Sequence, residues 1–179
     1  MNTAEFLGLT SLIMPERESI TFETKTITFG ELAERVNRLA NALSELGVGP
    51  GDRVATVQVN TNEIVECYFA SARLDAIFVP LNFRARADEL IQMINDCQPK
   101  VILVGPRYTD LVSSIQSNIN GETCYVALEA PKDSWPYYED LLTSASDEER
   151  TPEADDEDTT ILLFTAGTTG VPKGVMLTH

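Results

Sequence analysis

Between Val54 and Phe164 the chain alternates short apolar runs with stretches whose apolar residues recur at helical spacing. Residues 54–59, 77–79, 101–104, 123–128 and 160–164 are strand-length and rich in Val, Ile, Leu and Phe. Between them, Ile64, Val65, Tyr68, Phe69 and Ala72 mark one helix, and Leu90, Ile91 and Ile94 the inner side of another over 87–97. A further helix is predicted near 107–117. Near-continuous apolar strands separated by amphipathic helices form βαβ units, because a strand apolar on both sides needs a helix over each face. The predicted fold class is therefore α/β: a mainly parallel sheet flanked by helices on both faces, in αβα layers.

A small N-terminal β-hairpin precedes this pattern. Residues 19–22 and 25–28 are β-prone and flank Glu23-Thr24. Thr28-Phe29-Gly30-Glu31 then has the capping-box spacing, a hydroxyl at the cap and a carboxylate three residues on. Leu32, Val36, Leu39, Ala40 and Leu43 follow on one helical face. Gly47 stands where a left-handed C-terminal cap belongs, and Gly49-Pro50-Gly51-Asp52 makes a turn.

With 179 residues, 43% of them hydrophobic and 23% charged, the chain has material for one ordinary globular core. Its net charge of −15 argues against nucleic acid and against anionic lipid as partners, both of which need clustered Lys and Arg. Much of the charge sits in a run that includes Asp147, Glu148, Glu149, Glu153, Asp155, Asp156, Glu157 and Asp158, opposed only by Arg150. Such a run either docks a basic partner or is a solvated linker; a linker over 144–158, within the domain, is the expectation. Cys67, Cys97 and Cys124 have no metal-ligand or C-x-x-C spacing and read as buried or half-buried thiols of a reducing compartment. The N-terminus lacks a signal-peptide pattern and no apolar run is long enough to span a membrane, which predicts a cytoplasmic protein.

The segment that carries chemistry follows the last apolar run. Ile161-Leu162-Leu163-Phe164 leads into Thr165-Ala166-Gly167-Thr168-Thr169-Gly170-Val171-Pro172-Lys173-Gly174. Glycines let backbone N–H groups close on an anion, and successive N–H groups in such a turn form an anion-binding nest. Thr165, Thr168 and Thr169 add hydroxyls, and Lys173 brings a positive charge to a polyphosphate. A Walker loop requires G-x-x-x-x-G-K-[ST]. Here Pro172 precedes the lysine and Gly174 follows it, so that class is excluded, and no G-x-G-x-x-G dinucleotide fingerprint is present.

The loop resembles the signature of the adenylate-forming enzymes, close to [YF]-T-S-G-T-T-G-x-P-K-G, with Ala166 in place of the serine. The resemblance covers nearly the whole chain. Thr28 to Leu32, the Gly47 to Val54 turn, Val79-Pro80-Leu81-Asn82 and the passage from Asp96 to Ile102 look like the family's anchors in family order. Leu74-Asp75-Ala76 departs from it, since many members have glycine before that alanine.

The resemblance implies an N-terminal portion of an AMP-binding enzyme, most like acyl-CoA synthetases, with a long-chain fatty acid–CoA ligase favoured. Such enzymes join a carboxylic acid to coenzyme A, with ATP giving an acyl-adenylate and pyrophosphate. Thr165, Ala166, Gly167, Thr168, Thr169, Gly170, Lys173 and Gly174 are the expected ATP phosphate-binding residues. Thr165 or Thr168 is the candidate to contact magnesium, together with an acidic residue further along such enzymes. In the family, the groups for adenine, ribose, acyl chain and the catalytic lysine lie beyond this loop. No catalytic residue is therefore expected within 1–179, and the chain alone is expected to be inactive and to bind ATP weakly. A non-catalytic interaction module, or an adenylation domain loading a carrier protein, are the alternatives.

Other candidates read as structural. His179, the single histidine, lacks a partner ligand pattern. Arg84 and Arg86 read as solvated surface rather than an anion site, and Trp135, Tyr137 and Tyr138 as packing against the sheet. A front portion should also leave apolar surface uncovered, which predicts a homo-oligomer, and the loop is expected to be mobile without nucleotide.

Overall fold

The computed structural model describes residues 2–132, 134–165 and 172–179. The chain opens with a helix, α1 (Thr3–Ile13), that the apolar periodicity does not reveal. Its signal was the capping box: the Asn2 side chain accepts from Ala4 N–H at 3.0 Å, and Glu5 accepts from Asn2 N–H at 2.9 Å. The periodicity is hidden because Phe6, Leu9, Leu12 and Ile13 are exposed while only Thr3, Ala4 and Leu7 are buried.

Strands β1 (Glu18–Phe22) and β2 (Lys25–Thr28) form the expected antiparallel hairpin. Helix α2 (Phe29–Glu45) begins as its sequence dictates. Thr28 Oγ1 accepts from Glu31 N–H at 3.2 Å and Thr28 N–H donates to Glu31 Oε2 at 2.8 Å, which holds that carboxyl below its usual range. The helix ends at Gly47, where φ is +87° and the Val48 N–H reaches back to Leu43 O at 3.0 Å.

The βαβ succession then runs β3 (Arg53–Val57), α3 (Asn62–Arg73), β4 (Ile77–Pro80), α4 (Ala87–Cys97) and β5 (Val101–Val104). The helix predicted near 107–117 is broken. A 3-10 turn (Pro106–Tyr108), α5 (Thr109–Ile115) and a second 3-10 turn (Gln116–Asn118) follow one another, the first carrying proline in its opening turn. Strand β6 (Cys124–Ala127), helix α6 (Tyr138–Ser144), β7 (Thr159–Thr165) and β8 (Lys173–Thr178) complete the chain.

Among the described residues the larger sheet has six strands in the order β6-β5-β3-β4-β7-β8. All neighbours are parallel except β7 and β8. Pro80 closes β4 because it has no N–H; the ladder bond passes to Leu81 N–H, which reaches Thr56 O at 2.9 Å. Successive strand residues feed two cores. Val54, Phe78, Val101 and Leu103 pack with α2, α3 and α6; Ala55, Val79, Ile102 and Val104 pack with α4 and α5. The sheet is thus covered on both faces along β3, β4 and β5, as the apolar runs require.

The acidic stretch is a strap fixed to the body. Asn41 Nδ2 donates to the Ser146 and Glu148 carbonyls at 2.7 and 2.9 Å, and Arg73 Nη1 meets Glu149 Oε1 at 2.5 Å. Asp75 provides a second fixing point. It adopts φ +53°, and its two carboxylate oxygens accept from the Glu153 and Ala154 N–H groups at 2.8 and 3.0 Å. The departure from glycine at this position keeps the left-handed backbone, which Asp tolerates, and adds a latch on the strap.

Candidate functional site

The phosphate-loop candidates lie at the β7–β8 hairpin. Thr165 is the last residue of β7 and Lys173 the first of β8, and the two are register partners. Thr165 Oγ1 donates only a long bond, 3.4 Å, to Lys173 O. Both residues are exposed, so a hydroxyl and a charged amine flank the mouth of the connection. Gly174 pairs with Phe164, and a side chain there would meet Leu162 Cδ1 at 2.9 Å. Glycine at 174 thus lets β8 lie close over the Leu162 side chain, which packs into the core between the sheet and α4. Ala166, Gly167, Thr168, Thr169 and Gly170, together with their expected mobility, lie outside the described residues.

β8 itself was not foreseen. Val175-Met176-Leu177 is the apolar run that could have announced it, hidden behind the glycine-rich loop. All six of its residues are exposed, on a strand that ends the sheet.

The usual ligand position in an open α/β sheet is the crevice where strand order reverses, here between β3 and β5. That crevice is filled by Gln58, which follows β3. Its side-chain amide hydrogen-bonds Glu129 through Nε2 and accepts from Val59 N–H at 2.9 Å through Oε1. It also occupies the space a side chain at Gly105 would take. The switch-point crevice is thus occupied by a side chain of the protein itself.

The other candidates fall where structure needs them. His179 Nδ1 accepts from Thr3 N–H at 3.1 Å and lies 3.0 Å from Thr3 Oγ1, joining the end of β8 to the start of α1. Arg84 stacks over Phe83 at 5.4 Å, and Arg86 N–H donates to Glu89 Oε2 at 2.8 Å as α4 begins; both side chains are exposed. Trp135 stacks on Tyr125 with ring centroids 5.3 Å apart. All three cysteines are free. Burial pushes the Cys67 thiol well above its usual value and that of Cys97 up to about 12; Cys124 is raised by burial as well.

A buried polar cluster went unread in the sequence. Glu66 is fully buried and accepts from Arg35 Nε at 2.9 Å, Asn62 Nδ2 at 2.8 Å and Tyr138 Oη at 2.5 Å. Arg35 also grips Glu139 with two bonds, at 2.7 and 3.1 Å. Burial opposes the Arg35 charge, but the Glu139 and Glu66 carboxylates outweigh it and hold the guanidinium above its usual pKa. Burial, reinforced by the Glu66 charge, pushes the Tyr138 phenol well above its usual value. The cluster ties α2, α3 and α6 together and has the satisfied geometry of a structural ion pair rather than of a reactive centre.

Among the described residues no group of three or more His, Cys, Asp or Glu side chains could hold a metal ion, and no helix is long and apolar enough to cross a membrane.

Known proteins place this geometry. The chain is 34% identical over 180 residues to an indoleacetate–CoA ligase of Aromatoleum aromaticum, covering all of this chain and 35% of that protein. A long-chain-fatty-acid–CoA ligase of Thermus thermophilus is 32% identical over 184 residues, with 34% of it covered. Among solved structures, the anthranilate CoA ligase AuaEII in complex with anthranoyl-AMP superposes with a TM-score of 0.96 at 25% identity, over all of this chain and 35% of that one. The chain therefore spans about a third of the length of the curated relatives it matches. The profile described as AMP-binding enzyme matches residues 13–179, and on that match, the shared fold and the loop after β7, this chain belongs to the AMP-binding enzyme family.

Proposed function

We propose that this chain supplies the phosphate-gripping front portion of an ATP-dependent ligase that joins a carboxylic acid to coenzyme A, with AMP and pyrophosphate released. The observation that carries the reading is the β7–β8 hairpin, which sets Thr165 and Lys173 side by side at the two ends of a Gly- and Thr-rich connection. Thr165, Ala166, Gly167, Thr168, Thr169, Gly170, Lys173 and Gly174 hold the β- and γ-phosphates of ATP through backbone N–H groups, hydroxyls and one ammonium. The carboxylate then attacks the α-phosphate, its oxygen forming the acyl-adenylate while pyrophosphate leaves. A thiol later displaces AMP. The contribution of these residues is positional and electrostatic, because a held polyphosphate is a better-oriented leaving group.

Magnesium fits this account as part of the nucleotide substrate. The exposed Thr165 hydroxyl, or that of Thr168, offers one neutral oxygen to it, which a cation bound through phosphates can use. The remaining machinery belongs to the length of the relatives that this chain does not span, so residues 1–179 form one part of the AMP-binding unit, with 144–158 as its acidic connection. The relatives act on acids as unlike as indoleacetate and long-chain fatty acids by name. A carboxylic acid is therefore the substrate class, and long-chain fatty acids are one member of it. Free cysteines fit a cytoplasmic setting. Val175, Met176 and Leu177 on the terminal strand offer an exposed edge for self-association, which sedimentation at rising concentration checks.

The test is a titration followed by amide NMR. ATP and inorganic tripolyphosphate move the signals of residues 165–174, whereas adenosine does not. Adenosine-induced shifts without tripolyphosphate-induced ones would refute the phosphate grip. The chain alone releases no pyrophosphate from ATP in the presence of a carboxylic acid; carboxylate-dependent release would contradict the assignment of catalysis to other parts.

A further inference from the structure

The loop between the second 3-10 turn and β6 reads Ile119-Asn120-Gly121-Glu122-Thr123. It enters the sheet at the side away from the β7–β8 hairpin, since β6 and β8 are the two outer strands. The loop is fastened on both sides of one short link. Before the link, Asn95 on α4 holds it twice: Asn95 Nδ2 donates to Asn118 O at 3.1 Å, and Asn95 Oδ1 accepts from Asn120 N–H at 2.8 Å. After it, Thr123 Oγ1 donates to Pro99 O and Cys124 N–H to Lys100 O, both at 3.0 Å. Between these anchors Gly121 and Glu122 are exposed, and among the described residues neither makes a hydrogen bond.

That arrangement leaves two reactive groups side by side. The Asn120 side-chain amide is exposed and has no hydrogen-bond partner among the described residues. The next backbone N–H, that of Gly121, is equally unbonded. Gly121 adopts φ +82°, and a side chain there would meet nothing within 4 Å, so the backbone has both the freedom and the room to turn its nitrogen onto the amide carbon. Every other asparagine of the chain precedes a residue with a side chain, which crowds that approach. Asn118, in the same stretch, precedes β-branched Ile119.

We propose that Asn120–Gly121 is a self-modification site, at which the folded chain converts its own asparagine to aspartate and isoaspartate through a cyclic imide. The Gly121 nitrogen gives up its proton and attacks Asn120 Cγ. The new C–N bond closes the imide, the Cγ–Nδ2 bond breaks, and ammonia leaves with the proton. Water then opens the ring. Cleavage at the side-chain carbonyl gives aspartate, and cleavage at the main-chain carbonyl gives isoaspartate, whose backbone is one carbon longer. No oxidant or reductant takes part. The unfastened link absorbs the extra carbon, because the anchors at Thr123 and Cys124 hold β6 in register. The product adds one negative charge beside Glu122 to a chain already at −15.

The test incubates the full chain in neutral and in mildly alkaline buffer, with isoelectric focusing of the intact protein and peptide mass spectrometry that separates aspartate from isoaspartate. Asn120 is expected to convert about tenfold faster than Asn118, since only its attacking nitrogen is free to reach the carbon. Conversion is expected to be faster in alkali, with isoaspartate among the products and the protein moving by one acidic step. Asn120→Gln, at an exposed position, is expected to abolish that step with no change in circular dichroism. An acidic step that survives Asn120→Gln, conversion centred on another asparagine, or aspartate without isoaspartate would overturn the proposal. So would a folded chain that stays unmodified while a free peptide spanning 116–124 converts, since that would show that the fold protects the link.

Discussion

Replacing Arg35 by Met removes the charge partner of Glu66 while keeping much of the side chain's apolar stem. Glu66 has no exposure, and its carboxylate is held by Arg35, Asn62 and Tyr138. Two neutral donors remain after the substitution, but the compensating charge is gone. Stranding one member of a buried pair costs about 3–5 kcal/mol. The exposed arm of the cluster adds little: Glu139 is 41% exposed, so its bidentate pair is screened and adds less than the buried one. Urea unfolding at neutral pH is the assay, with Glu66→Gln and the double variant completing the cycle. The double variant should recover much of the loss, because a glutamine amide can still accept from Tyr138 or Asn62 without a buried charge. A loss below about 1 kcal/mol for Arg35→Met, the scale of an exposed pair, would refute the reasoning. The pH dependence gives a second reading. Arg35, through its hydrogen bonds, lowers the Glu139 carboxyl pKa in the folded state. Its stabilisation is therefore present above the unfolded value and is lost as pH falls through the lowered one. Arg35→Met should flatten that part of the acid limb.

Two further outcomes follow from the fold. Asp75→Ala loses two bonds to the strap and places alanine at φ +53°, so it should cost more than Asp75→Gly, by about 1 kcal/mol, while both speed hydrogen exchange at Glu153 and Ala154; equal stability of the two variants would contradict the backbone argument. Under mild alkaline conditions a thiol reagent should modify Cys124 first, since Cys67 and Cys97 are buried and their thiols are pushed further up; initial labelling of Cys67 would contradict it.

Much of the sheet was legible because its signals are local. The strand Val101–Val104 and the helix Ala87–Cys97 coincide with their predicted bounds, as apolar runs and helical spacing need no knowledge of partners. Strand order was not legible, since β4 meets β7 across more than eighty intervening residues. α1 was missed because its apolar residues face solvent, and the strap's fixing points because they join residues 76 to 109 positions apart in sequence. The acidic residues suggested a solvated linker, yet Asp75, Asn41 and Arg73 bind much of it. At the site, the loop motif was plain in the sequence, and the structure adds the pairing of Thr165 with Lys173.

The most direct measurement compares the wild-type chain with Lys173→Ala in an amide NMR titration with inorganic tripolyphosphate. Lys173 is exposed, so the variant should fold as the wild type does. The account predicts saturable shifts over residues 165–174 in the wild type, with affinity about tenfold weaker in the variant. Identical titrations of the two chains, or shifts that avoid the β7–β8 hairpin, would contradict a phosphate grip at this loop.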